Sequence, residues 1–182
     1  YDDFIRAYAA CCLFADAQVG RLLDALDQSP IAQNTIIVLW SDHGFHLGEK
    51  NHIEKFVLWE KANHVPFIIS APGIGTPGSR CETPVDLTVI YPTLLDLCGI
   101  KNRSYYDGNS ALPLLKNPKA KWGHPAISTY GRNNHTLRTQ RWRYIRYADG
   151  GEELYDVRND PHEWSNLAGD KEHAKVLGRL RK

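Results

Sequence analysis

The stretch NTIIVLWSDHG, Asn34 to Gly44, decides the fold class. Its first part, Thr35 to Trp40, is a continuous apolar and β-branched run, which is typical of a strand buried on both faces, as in a parallel sheet. The run ends in polar residues, and open α/β sheets bind their ligands beyond the carboxyl ends of strands. We therefore expect an α/β fold with a functional site at Asp42 and His43.

The segments on either side of this strand fit the same fold class. Apolar residues recur every three or four positions from Asp3 to about Leu26, which predicts an amphipathic helix that ends before Pro30. A second apolar run, Val65 to Ser70, predicts another buried strand, and Asp86 to Leu97 predicts a helix. This alternation predicts an α/β core over residues 1–120.

Residues 121–182 have a different pattern and are predicted to form a separate subdomain. Short strand-like segments, joined near Gly150 by a predicted hairpin, precede a helix from about Asp170 to Leu180. The segments are ISTY, TLRT, RWRYIRYA and ELYDV. In RWRYIRY, the alternation predicts a strand with aromatic residues on one face and arginines on the other.

The net charge and the length of the apolar runs argue against nucleic acid as a partner and against a membrane span. The chain has 22 Lys and Arg residues against 21 Asp and Glu residues, a formal net charge of +1, whereas nucleic-acid binding normally leaves a basic excess. We expect no membrane span, because the apolar runs are far too short to cross a bilayer. The chain starts at Tyr1 inside a helical pattern and contains no methionine, so we interpret it as a fragment of a longer polypeptide.

Three residues are the first candidates for chemistry. A turn after the strand can bring Asp42 and His43 to one ion; carboxylate oxygen suits Ca²⁺ or Mg²⁺, and imidazole also suits Mn²⁺ or Zn²⁺. Equally, Asp42 can cap a turn and His43 can be a hydrogen-bonded buried residue. Lys55 can neutralise a tetrahedral anion or lie in solvent. Three histidines can serve as proton donors or as polar loop residues: His46, His52 and His64.

The ordered segments resemble a known family. NTIIVLWSDHGFHLGEK, followed by Lys55 and by HVPFIISAPG, resembles the second half of the sulfatase core, most closely the iduronate-2-sulfatase branch. FADAQVGRLLDAL, DLTVIYPTLLDLCGI and ELYDVRNDPHEWSNLA agree in order and spacing. The resemblance implies the C-terminal part of an alkaline-phosphatase-like α/β/α sandwich, followed by a small antiparallel sheet and a C-terminal helix.

The same resemblance implies roles for particular residues. Asp42 and His43 correspond to two metal ligands, with Ca²⁺ as the expected ion and Mn²⁺ or Mg²⁺ as alternatives. Lys55 corresponds to a lysine that contacts the sulfate and the catalytic aldehyde side chain. Three residues are expected on the substrate side of the cleft: His64, His135 and Arg138.

The resemblance implies a sulfuric ester hydrolase that removes sulfate from a sulfated sugar or polysaccharide. Sulfatases use a formylglycine made from a Cys-x-Pro-Ser-Arg motif, and none of the four cysteines here is followed by that pattern. We therefore expect the nucleophile upstream, in the N-terminal part of the same polypeptide, and we expect this chain alone to be inactive. The usual location of sulfatases implies a periplasmic or secreted protein, or a lysosomal one in an animal.

Two other functions remain open on the sequence. A phosphonate monoester hydrolase or phosphodiesterase of the same superfamily shares the Asp-His strand end and the metal. A non-catalytic sugar-binding module with a vestigial metal site is the alternative from a different class. The upstream sequence distinguishes that module from an enzyme, because only the enzyme needs the cysteine motif.

Overall fold

The computed structural model describes residues 1–101 and 105–182. The helices are α1 (Asp2–Asp27), α2 (Glu60–Asn63), α3 (Ile90–Leu97), α4 (Leu112–Lys116) and α5 (Ala174–Leu180). The strands are β1 (Ile37–Trp40), β2 (His46–Leu47), β3 (Ile53–Glu54), β4 (Phe67–Ser70), β5 (Ala126–Thr129), β6 (His135–Arg138), β7 (Trp142–Arg146) and β8 (Glu152–Asp156).

Helix α1 follows the predicted span closely. Asp2 and Asp3 lie in its first turn, where carboxylates interact favourably with the helix dipole. The rings of Phe4 and Tyr8 pack against Phe45, with centroids 6.2 Å and 5.4 Å away, so the helix supports the loop that follows β1. In the described part of the chain, no helix has the length and apolarity needed to cross a membrane.

The predicted parallel arrangement of the first two strands is wrong. β1 pairs antiparallel with β4, with Ile37 opposite Ser70 and Trp40 opposite Phe67. Neither strand is fully buried in this chain. The connection, residues 41–66, is long enough for the crossover that a parallel pair needs, but it forms a short hairpin and the four-residue helix α2 instead of a crossover helix. An apolar run indicates a strand but not its direction.

Gly44 allows α2 to lie directly against the end of β1. Its N–H donates to the carbonyl of Ala62 at 2.8 Å. A Cβ at this position would lie 2.0 Å from the carbonyl oxygen of Lys61, far inside van der Waals contact. The glycine in the SDHG segment is therefore required by the close approach of two backbone segments.

The helix predicted over Asp86 to Leu97 begins later than its pattern suggested. Asp86 accepts a hydrogen bond from the N–H of Thr88 at 3.2 Å and caps a 3₁₀ turn at Leu87–Val89. Helix α3 then starts at Ile90, which places Pro92 in its first turn, where the missing N–H costs little.

The C-terminal part confirms the predicted small antiparallel sheet and helix. Strands β5, β6, β7 and β8 pair in that order, each antiparallel to the next. On one face, Trp142, Tyr144 and Leu154 pack against Leu177 of α5. The division of the chain at residue 120 stays a prediction.

The opposite face of this sheet contacts the segment that precedes α2. Ile145 and Tyr155 pack with Leu58 in a second buried cluster. Arg143 shares this face and is also buried. Trp142 and Tyr144 therefore lie on the face opposite Arg143, as predicted, whereas Arg146 shares their face.

Gly44→Ala is expected to lower the free energy of unfolding by about 1–3 kcal/mol, because the new methyl group must displace the backbone of α2. Urea denaturation followed by tryptophan fluorescence measures the change. Gly123→Ala is the matched control, since a Cβ there meets nothing within 4 Å. Equal effects of the two substitutions would contradict the close approach at Gly44.

Candidate functional site

A cavity of about 880 Å³ opens between the end of β1, the segment around α2 and the first strands of the C-terminal sheet. Asp42, His43 and Lys55 line it together. His64 and Arg138 also line it. The structure therefore brings to one cavity five of the six residues to which the family resemblance assigns a role.

The orientation of the His43 ring is set by the backbone carbonyl of the next residue, Gly44. Its Nδ1 lies 2.8 Å from the carbonyl oxygen of Gly44, so Nδ1–H donates there and Nε2 keeps a lone pair. That Nε2 lies 3.4 Å from Oδ2 of Asp42 and 2.7 Å from Nζ of Lys55, which donates to it. A carboxylate, an imidazole lone pair and an ammonium group thus meet at one point.

This pair of acceptors fits part of a metal site. A ligating histidine usually donates its other ring N–H to a carbonyl or carboxylate, as His43 does to Gly44. Asp42 supplies a hard oxygen of the kind that Ca²⁺, Mg²⁺ and Mn²⁺ prefer. Within residues 1–101 and 105–182, no group of three or more His, Cys, Asp or Glu side chains is arranged to hold a metal ion. The two side chains therefore match only part of the ligand set that such an ion needs.

The hairpin of β2 and β3 carries Lys55 to His43. Its turn requires left-handed backbone at Lys50, with φ of 58°. Nζ of Lys50 donates to the hydroxyl of Tyr155 at 3.2 Å and to the carbonyl of Glu163. These contacts fix the hairpin to the C-terminal sheet, and Lys55 follows directly after β3.

Glu60 is the centre of a charge cluster on the cavity wall. Its Oε1 accepts from Nδ1–H of His64 at 3.1 Å. Its Oε2 accepts from Nε of Arg138 at 3.2 Å and from a guanidinium nitrogen of Arg143. Burial alone would raise the pKa of Glu60, but the hydrogen bond with His64 and the two guanidinium charges lower it well below its ordinary value. Glu60 is therefore a carboxylate at neutral pH.

Arg143 joins Glu60 to a second buried acid. Only 2% of its side chain is exposed, and its Nε lies 2.5 Å from Oε1 of Glu163. The other oxygen of Glu163 accepts from the backbone N–H of Glu60 at 2.8 Å. Arg143 also donates to the carbonyl of Leu58 at 3.1 Å and to the hydroxyl of Thr136 at 3.0 Å. Burial raises the pKa of Glu163, although the charge of Arg143 opposes the shift.

The contact with Glu60 favours the protonated imidazole of His64. The hydrogen bond to Glu60 raises its pKa, and this outweighs the effects of burial and of the nearby guanidinium groups, which lower it. The side chain of His64 is 75% exposed. The imidazolium form of His64 therefore adds to the guanidinium of Arg138 on the same wall of the cavity.

The remaining predicted histidines lie elsewhere. His135 is exposed, its Nδ1 lies 2.8 Å from the hydroxyl of Thr129, and it lines a separate pocket of about 240 Å³. The structure therefore does not bring His135 to the cavity with Asp42. His46 and His52 pack against Trp59, with ring centroids 5.9 Å and 6.1 Å away, and neither lines the cavity.

Comparison with known proteins identifies the family. The model of the family described as Sulfatase matches residues 2–100, which is more than half of the chain. The chain belongs to the sulfatase family. The predicted resemblance and the alkaline-phosphatase-like fold are thereby confirmed.

Several sulfatases are similar over most of this chain. A sulfatase of Formosa agariphila is 45% identical over 166 residues, which cover 91% of the chain and 32% of that protein. The Delta 4,5-hexuronate-2-O-sulfatase of Bacteroides thetaiotaomicron is 32% identical over 100% of the chain and 40% of its own length. Human arylsulfatase K is 37% identical over 90% of the chain and 33% of its own length. The chain thus spans about a third of the length of these curated relatives.

Solved structures share the fold. One, in complex with its substrate D-glucosamine-2-N,6-O-disulfate, matches with a TM-score of 0.84 and 32% identity, over 93% of this chain and 37% of that one. The phosphonate monoester hydrolase of Agrobacterium radiobacter matches with a TM-score of 0.77 and 26% identity, over 91% and 37%. The sulfatase fold is therefore shared with an enzyme named for a different ester.

The Glu60–His64 contact predicts a pH dependence. Because Glu60 raises the pKa of His64, the stability from this pair is fully present below the ordinary histidine pKa of about 6.5 and is lost as the pH rises through the raised value. Glu60→Gln removes the charge while keeping the shape, so it is expected to lower the pKa of His64.

NMR titration of the imidazole protons measures this pKa, with His64→Gln identifying the resonance. An unchanged pKa of His64 in Glu60→Gln would show that the carboxylate does not control the imidazole.

Proposed function

We propose that the polypeptide containing this chain is a sulfuric ester hydrolase that removes sulfate from a sulfated sugar or polysaccharide. The observation that carries the proposal is the meeting of Lys55, His43 and Asp42 at one end of the cavity, with Nζ of Lys55 2.7 Å from Nε2 of His43. An ammonium group beside two metal ligands suits a tetrahedral anion. Membership of the sulfatase family supports sulfate as that anion.

In this proposal Lys55 binds the sulfate group and stabilises the transition state. Its ammonium donates to the sulfate oxygens, on which negative charge grows as the ester bond breaks. In the described part of the chain, no ion pair within 4 Å joins Lys55 to a carboxylate. The positive charge of Lys55 is therefore available to an anionic substrate.

Asp42 and His43 would hold a divalent ion, which we propose is Ca²⁺, with Mn²⁺ or Mg²⁺ as alternatives. When bound, the ion supplies positive charge next to the ester. The chain's own part would be to present the Asp42 carboxylate and Nε2 of His43. Nε2, which accepts from Lys55 in this structure, would give its lone pair to the ion, and the ammonium would then be free to donate to the sulfate. The remaining ligands and a formylglycine nucleophile are proposed to lie in the N-terminal part of the same polypeptide.

His64 and Arg138 are proposed to contact an anionic group of the sugar. Both are held by hydrogen bonds to Glu60 on the cavity wall, so their positions are fixed before a substrate arrives. A uronate carboxylate or a second sulfate is the type of group that an imidazolium and a guanidinium bind. The similarity to a hexuronate-2-O-sulfatase supports an acidic sugar.

A phosphonate monoester hydrolase is the second candidate, because a solved enzyme of that name shares the fold. Both reactions need a cation and a metal ion at a tetrahedral centre. The complete polypeptide encoded by the gene should be assayed in parallel with matched sulfate, phosphate and phosphonate esters. We expect the highest kcat/KM for the sulfate ester, and a preference for the phosphonate would overturn the proposal.

Lys55→Ala is expected to lower kcat/KM for a sulfate ester by about 100–1,000-fold in the complete polypeptide, because one charge-stabilising donor is removed from the site. Initial rates of sulfate release measure the change. Lys119→Ala is the control, since this exposed lysine lies outside the cavity. Activity of Lys55→Ala within twofold of the control would remove Lys55 from the mechanism.

A further inference from the structure

Two exposed aromatic rings meet at the cavity. Phe56 is 54% exposed and Tyr130 is 49% exposed, and both line the cavity with Asp42. Their ring centroids are 5.7 Å apart and their planes are inclined by 35°. Phe56 follows Lys55 in the chain, whereas Tyr130 follows β5, so two distant segments supply the rings.

This pair differs from a single exposed apolar residue, which is ordinary on a protein surface. The two rings lie in contact with each other, beside charged residues, while the buried core clusters are built from other side chains. Aromatic rings left partly in water at a concave site are available to a ligand that has an apolar face. In the described part of the chain, both rings are therefore open to the cavity.

We propose that Phe56 and Tyr130 form a stacking platform for a pyranose ring of the substrate. The C–H groups on one face of a pyranose would lie against the two rings, and its hydroxyl groups would remain in water. This inference rests on the proposed function, because it takes the substrate to be a sulfated sugar. It adds the residues that bind the sugar ring itself.

The position of Lys55 supports this occupant. Its Nζ lies 5.5 Å from the centroid of the Phe56 ring, so the ammonium that would bind sulfate and the ring that would bind the sugar are adjacent. A sulfate group and the pyranose that carries it are separated by a similar short distance. One sulfated sugar can therefore contact Lys55 and the platform at once.

The lining around the platform favours a saccharide over an apolar ligand. Lys55 lies on one side, and the same cavity is lined by Arg138 and by the carboxyl groups of Glu60 and Asp86. A purely apolar ligand would take water from these polar groups without offering them a hydrogen bond. A saccharide whose sulfate reaches Lys55 and whose hydroxyl groups meet the polar lining matches the site, and the cavity volume of about 880 Å³ lies within the usual range for small-molecule sites.

The test uses the complete polypeptide and two separate probes. A hexuronate-containing disaccharide without sulfate is the probe for the platform, and inorganic sulfate is the probe for Lys55. Calorimetry gives the Kd of each probe, and saturation-transfer NMR from the aromatic protons shows which sugar C–H groups touch the rings. The variants are Phe56→Ala and Tyr130→Ala, with Phe56→Tyr and Tyr130→Phe as ring-retaining counterparts. Tyr105→Ala is the control, since Tyr105 is 72% exposed and lies outside the cavity.

Each alanine variant is expected to raise the Kd of the disaccharide about tenfold, which corresponds to losing one ring contact. The Kd of inorganic sulfate should change less than twofold. The ring-retaining variants and Tyr105→Ala should bind the disaccharide as the wild type does, and the sugar C–H signals should disappear only in the alanine variants.

Three results would overturn the platform: no binding of the disaccharide to the wild type, an unchanged Kd in both alanine variants, or an equal loss of sulfate binding. The last result would mean that the rings only position Lys55. A failure of the proposed function gives a different result. The disaccharide would still bind through the platform, but the complete polypeptide would release no sulfate from any sulfated sugar.

Discussion

The guanidinium of Arg143 lies buried between the carboxylates of Glu60 and Glu163, and the shape of the cavity depends on this contact. The three charges come from α2, from β7 and from the loop after β8. Removing Arg143 would leave Glu163 buried without its guanidinium partner, which is far more costly than losing an exposed ion pair. The cluster therefore locks the C-terminal sheet to α2, and it orients Arg138 and His64 as a consequence.

At the other end of the cavity, where His43 and Lys55 lie, backbone contacts rather than ion pairs hold the residues in place. Gly44 lets α2 approach the end of β1, and the carbonyl of Gly44 orients His43. The hairpin of β2 and β3 then returns the chain so that Lys55 reaches the imidazole. Lys50 ties this hairpin to the carbonyl of Glu163, the same residue that pairs with Arg143. The anion-binding end and the charged wall are thus parts of one connected arrangement.

The sequence allowed a prediction wherever residues belong to ordered motifs. Asp42, His43 and Lys55 could be chosen because their spacing matches the family, and the C-terminal sheet followed from alternation and a hairpin signal. Strand direction was not predictable, since it depends on what residues 41–66 form. The alternation of RWRYIRY placed Arg143 on the face opposite Trp142 and Tyr144 but did not show that this face is buried, although Ile145 two positions later shares it. Contacts such as Phe56 with Tyr130 join segments far apart in sequence, so no local pattern could show them.

The central claim, that one buried charge cluster holds the cavity together, is tested most directly by comparing two arginines of the same strand. Unfolding of the complete polypeptide in urea gives the free energy of each variant. Arg143→Ala is predicted to lose about 3–5 kcal/mol, because it leaves Glu60 and Glu163 buried without their shared partner. Arg146→Ala, at an exposed position of β7, is predicted to lose less than about 0.5 kcal/mol. Equal losses for the two variants would contradict the account.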